Sequence, residues 1–173
     1  MVEHKLHELI SKKVLEANLD DCKVFVDHAP EKGHNLPLFF SKEKSRKTTI
    51  CNVDILVIKD NKIKIIFEIE ESNVLPTQVC GKFLASAISN YYIYEDDTIE
   101  MDDKVLFIQV LNNLKLNLDR TSKMEQWKNL EKEINNILPV KDSKITKYKL
   151  FFGNIEDFDF DRLISYLRGV LSE

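Results

Sequence analysis

The chain of 173 residues has few of the residues that interrupt regular structure: four glycines and four prolines. That scarcity argues against long disordered linkers, no internal repeat is present, and the length suits one domain over 1–173. Cysteine is equally sparse. Cys22, Cys51 and Cys80 are scattered, odd in number and without CxxC spacing, which points away from a disulfide framework and from a zinc site. Reduced thiols of this kind suit a cytoplasmic setting. No apolar run reaches the roughly 18 residues of a membrane span. The opening MVEHKLHELISKK has early acids and no apolar segment, unlike a secretion signal. No P-loop, GxGxxG or GxSxG motif occurs, and the serines and cysteines suggest no triad. Excess positive charge is missing too. At a net charge of −4 the chain is not one held to nucleic acid by overall charge, so such a partner must meet a local basic patch.

What is present is hydrophobic periodicity. Leu6, Leu9, Ile10, Val14 and Ala17 fall at helical spacing within residues 3–19. Residues 22–28 alternate as a strand. Residues 29–47, with two prolines, a glycine and a basic cluster, read as a loop containing a short strand at 36–40. The β-branched run 48–59, a DN turn and the return 62–70 read as a hairpin. Pro76 ends the extended run, and Thr77 is placed to cap a helix over 78–93. The acidic segment 95–103 reads as a loop and 104–111 as a central strand covered on both faces. A helix over 122–138 ended by Pro139, a strand over 145–153 and a helix over 159–171 capped by Asp157 or Asp159 follow. The expected fold is α/β, a central mixed β-sheet flanked by helices, with 104–111 parallel to one hairpin strand.

The hairpin NVDILVIKDNKIKIIFEIEES carries charge where apolar residues would be cheaper: Asp54 in its first strand, Glu68 and Glu70 in its second. Alternation points Glu68 and Glu70 to one face with Ile66, and Ile63, Ile65, Phe67 and Ile69 to the other. Counting from a turn centred near 60.5 puts Asp54 within one residue of Glu68 across the ladder, subject to a slip or bulge. Adjacent carboxylates repel by about a kcal/mol or more at moderate dielectric. A hard divalent cation turns that repulsion into coordination. By contrast, His4 and His7, an HxxH pair on the first helix, read as surface histidines, and His28 and His34 lack a ligand set.

In element order over residues 3 to 111, and in NVD with EIE, the chain resembles the PD-(D/E)xK nuclease superfamily, which includes many Type II restriction endonucleases. Two positions depart from the pattern: Val53 stands where a proline is usual, and Glu70 where the lysine is usual. The resemblance implies a restriction-endonuclease-like fold and a Mg²⁺-dependent DNA endonuclease, with Mn²⁺ as a substitute. Asp54, Glu68 and the Ile69 carbonyl would be the metal ligands. Some relatives move the lysine to the next helix, where Gln78 and Lys82 stand i, i+4. The catalytic set is then Asp54, Glu68, Glu70, Gln78 and Lys82, with Glu70 or Lys82 acting on the attacking water. Glu70 is the favoured one, its direction being set by strand alternation. The segment SKEKSRK offers Lys42, Lys44, Arg46 and Lys47 to grip phosphates near the metal. With no evident separate recognition domain, cutting both strands implies a homodimer. The rival expectations are a catalytically idle member acting as a binding or scaffold module, and a nuclease of repair, junction resolution or RNA processing.

Overall fold

The computed structural model describes residues 5–27, 35–72, 74–116 and 121–173. In chain order its elements are α1 (Lys5–Glu16), β1 (Cys22–Val26), β2 (Leu36–Phe39), β3 (Thr49–Val53), β4 (Ile55–Lys59), β5 (Lys62–Glu70), α2 (Pro76–Ala87), β6 (Tyr91–Tyr94), β7 (Asp97–Asn112), α3 (Thr121–Ile137), β8 (Ile145–Gly153) and α4 (Phe160–Leu171). The strands form one mixed sheet in the order β1-β4-β5-β7-β6-β2-β3, with β8 also on β7. Among the described strands, only β5–β7 and β7–β8 pair in parallel. The fold is therefore α/β with a mixed, mostly antiparallel central sheet flanked by helices, as expected. No helix among the described residues is long and apolar enough to cross a membrane.

The hairpin forms as its turn chemistry dictates. Asp60 and Asn61 adopt φ of 53° and 57°, the pair of positive values that a two-residue type I′ turn needs. That turn pairs Lys59 with Lys62 and Ile58 with Ile63, but Val57 then pairs with Ile65. Lys64 is thus a spare residue, a β-bulge. The bulge corrects one expectation: Ile63 joins Ile66 on one face, while Ile65, Phe67 and Ile69 share the other. One core lies under α1 and α4, built from Leu6, Ile10 and Val14 against Ile55, Val57, Ile65 and Phe67. The second lies under α2 and α3, where Val79, Phe83 and Trp127 meet Leu56, Ile66 and Phe107.

Other expectations change. The single strand over 48–59 is two strands with Asp54 at the bend: β3 pairs with β2, and β4 pairs with β1 and β5. The acidic segment 95–103 is no loop, because β7 begins at Asp97 and its first residues pair with β6. The helix expected over 78–93 ends at Ala87, and β6 follows. Its N-cap is Leu75 with no side-chain hydrogen bond, not Thr77; Pro76 supplies the start instead. At α4 the expected cap is present, with Asp159 accepting from the Arg162 N–H at 2.9 Å.

The edge strand β8 is closed by a helix. Asn135 on α3 donates to the Tyr148 carbonyl at 2.9 Å and accepts from the Tyr148 N–H at 3.0 Å. Glu131 accepts from the Leu150 N–H at 3.0 Å. These side chains answer the ladder groups that a neighbouring strand would take.

Candidate active site

Asp54 is held by its backbone on both sides. Its N–H donates to the Phe67 carbonyl at 3.0 Å, and its own carbonyl accepts from Asp27 at 2.8 Å. Past Ile55, β5 has lost its β4 neighbour, which leaves the Ile69 N–H without a ladder partner. The Asp54 carboxylate replaces it, Oδ2 accepting that N–H at 2.6 Å. A strand residue presents its N–H and C=O to the same side, so the Ile69 carbonyl also faces the Asp54 edge. The bulge at Lys64 decides the remaining alignment. Ile55 pairs with Phe67, and one more step of that register sets Asp54 opposite Glu68.

Glu68 and Glu70 are 2% and 7% exposed, although both are carboxylates. Lys82 reaches from α2 to lie 2.9 Å from Glu68 Oε2 and 2.8 Å from Glu70 Oε1. The first contact is a hydrogen bond; Glu70 Oε1 is buried beside the ammonium without hydrogen-bond alignment. Burial, then the neighbouring Asp54, push Glu68 up to about 8. Burial also raises Asp54, against the opposing pull of His7 and the Ile69 N–H. Burial alone would lower Lys82, but Glu68 and Glu70 more than reverse it and keep the ammonium charged. The group stands at the carboxyl ends of parallel strands, where open α/β sheets place their ligands.

A cleft of about 220 Å³ opens here, lined by His7, Asp27, Asp54, Ile69, Glu70, Glu71, Ser72 and Lys82. His7 is not the surface residue expected. It is 7% exposed, with Nε2 4.0 Å from Asp54 Oδ1. Glu71 ties the start of α1 to the cleft by accepting the Leu6 N–H at 2.7 Å. The signal was present: His7, Ile10, Ser11 and Val14 fall at i, i+3, i+4, i+7, one buried stripe. Gln109 is a second residue that sequence reasoning missed. It pairs with Glu68 across the parallel ladder and is fully buried. Its Oε1 accepts from the Tyr148 hydroxyl at 2.5 Å, and its Nε2 has no hydrogen-bond partner among the described residues.

The remaining expected residues lie elsewhere. Gln78 is exposed and outside the cleft lining. Lys42, Lys44, Arg46 and Lys47 are exposed on the loop that joins β2 to β3. Thr48 stitches that loop, accepting from the Ser45 N–H at 3.1 Å and donating to the Ser45 carbonyl at 3.0 Å. The loop leaves the far end of β3, five residues or roughly 17 Å from Asp54, so it does not adjoin the carboxylates of its own chain. His28 and His34 lie outside the described residues, as does His4. Among the described residues no group of three or more His, Cys, Asp or Glu side chains is arranged to hold a metal ion. Compared with family models, with curated proteins and with solved structures, the chain matches none.

Proposed function

We propose that this cleft hydrolyses phosphodiester bonds with Mg²⁺, making the chain a DNA endonuclease of restriction type. The observation that carries the reading is the convergence of Asp54, Glu68 and Glu70 at the end of parallel strands, with the Lys82 ammonium within 2.9 Å of both glutamates. Two carboxylates and a carbonyl fit a cation that keeps most of its other positions for water and phosphate. Asp54, Glu68 and the Ile69 carbonyl would hold it. Glu70 Oε1 faces the Lys82 ammonium at 2.8 Å on the same side of β5 as Glu68. Bound there, the ion would offset charge on the phosphoryl oxygens and acidify a water. Glu70 would orient that water. Lys82 supplies from the helix the positive charge that the strand lacks, beside the scissile phosphate. A second reading, a binding or scaffold module without catalysis, draws on the same ion pairs, since Lys82 already compensates Glu68 and Glu70.

Plasmid nicking with millimolar Mg²⁺ or Mn²⁺ separates the two. Wild type should nick, and metal should raise its melting temperature by mass action. Asp54→Ala should abolish both effects and stay folded. Lys82→Ala should slow nicking by roughly 10²–10³-fold. A wild type whose melting ignores metal and whose plasmid stays supercoiled would leave the binding module standing.

A further inference from the structure

The outward face of α2 differs from that of every other helix. Exposed charges stud α1 (Glu8, Lys12, Glu16), α3 (Lys123, Glu125, Lys132) and α4 (Asp161, Arg162, Arg168). On α2 the exposed residues are Thr77, Gln78, Gly81 and Leu84, followed by Ile88 at its C-cap. Lys82, the one charge of this helix, turns inward to the carboxylates. Of the eight exposed large apolar residues among the described residues, four lie on or beside this face: Phe40, Leu75, Leu84 and Ile88, between 47% and 55% exposed. Phe40 is brought to the end of α2 by Asn90, whose N–H donates to the Phe39 carbonyl at 2.8 Å and whose Nδ2 donates to the Phe40 carbonyl at 3.3 Å.

We propose that α2 packs antiparallel against α2 of a second copy, and that each copy's basic loop then covers the other's acidic cleft. The stripe is self-complementary. About a two-fold axis between residues 82 and 83, Gly81 faces the partner's Leu84 and Thr77 the partner's Ile88. A side chain added at Gly81 would meet nothing within 4 Å, so the hole that receives Leu84 is open. Leu75 then comes level with the partner's Phe40. Charge gives the same pairing. The cleft at the N-terminal end of α2 is lined by the carboxylates of Asp27, Asp54, Glu70 and Glu71 together with His7 and Lys82. The loop beyond its C-terminal end presents Lys42, Lys44, Arg46 and Lys47 with one Glu43. Antiparallel packing brings unlike ends together, and parallel packing would oppose like with like. It also brings to each cleft the cations that lie roughly 17 Å away in its own chain. The role of that loop at the cleft rests on the phosphodiesterase reading; the pairing of the helices does not.

Sedimentation of the full chain at about 100 µM tests the pairing. Wild type should sediment as a dimer. Gly81→Arg and Leu84→Glu, both at exposed positions, should each give a monomer with unchanged circular dichroism, its melting temperature lower than that of wild type only by what dimerisation adds. A wild-type monomer at that concentration, or a dimer indifferent to both substitutions, overturns the proposal. Mixing tests the reach in trans. Asp54→Ala should be combined with the chain in which Lys42, Lys44, Arg46 and Lys47 are alanine. Alone, Asp54→Ala should not nick plasmid and the loop variant should nick it weakly. Their mixture should regain up to about a quarter of wild-type activity, because half of the dimers are mixed and each of these unites one intact cleft with one intact loop. No recovery from a mixture that sediments as dimer overturns the trans arrangement. A wild-type dimer that never nicks DNA counts against the hydrolase reading while bearing out the helix pairing.

Discussion

The two faces of β5 alternate along one strand and do different work. Ile65, Phe67 and Ile69 turn toward α1 and α4 into an apolar core. Ile66, Glu68 and Glu70 turn toward α2, where the buried neighbours include Gln109, Ser86 and Ser89. In that layer burial pushes the Cys51 thiol up to about 11, and it raises the Tyr148 hydroxyl too. Desolvating polar groups costs free energy that an apolar face avoids. The first face accounts for stability, and the second is the one whose composition stability does not explain.

Substitutions on the two faces should therefore differ in size and in pH dependence. The largest loss is expected from Phe67→Ala, which empties a fully buried site at about 3–5 kcal/mol, read by urea unfolding. That loss should be the same at pH 5 and pH 8. Glu68 should behave otherwise. Its folded pKa of about 8 lies above its ordinary 4.5, so folding favours the neutral acid. That contribution is full below about pH 4.5 and is lost as pH rises through about 8. Metal-free wild type should lose about 2–4 kcal/mol across this window. Glu68→Gln should flatten the slope; an unchanged slope would place the titration elsewhere.

A smaller effect, about 1–3 kcal/mol, is expected from Gln109→Leu, because it strands the Tyr148 hydroxyl. Adding Tyr148→Phe should restore most of it, and a thermal double-mutant cycle measures the coupling. The smallest, about 1 kcal/mol, belongs to Asn135→Ala, which uncovers one residue of the β8 edge. Hydrogen exchange at Tyr148 should report that loss before global melting does.

Much of this contrast could be read from residue order. The ExE on an apolar strand, the DN turn and the parallel partner at 104–111 are local patterns, and each stands where expected. What failed was non-local. Nothing in TTICNVDILVIK says that Asp54 is a bend, because each half is equally β-branched and the break exists only once β2 claims β3. The acidic segment 95–103 pairs in spite of its charge, since Lys62 and Lys64 stand opposite Glu100 and Asp102 at 2.9 and 2.6 Å. His7 was hidden by its own motif: HxxH drew attention to the histidine pair and away from the buried stripe to which His7 belongs.

The hairpin of β4 and β5 has to satisfy two counts that differ by one residue. Its turn adds pair numbers to 121, as in Ile58 with Ile63, and its carboxylate end to 122, as in Ile55 with Phe67. Lys64 is the remainder, set aside with Asp102 for company. An in-frame loss of the Lys64 codon would ordinarily invert every later side chain of a strand. Here Ile63 and Ile65 already occupy opposite faces, so the shortened strand would close on a plain ladder with Asp54 still facing the glutamate that follows Phe67. This is a gene position where length can drift without changing what the site presents.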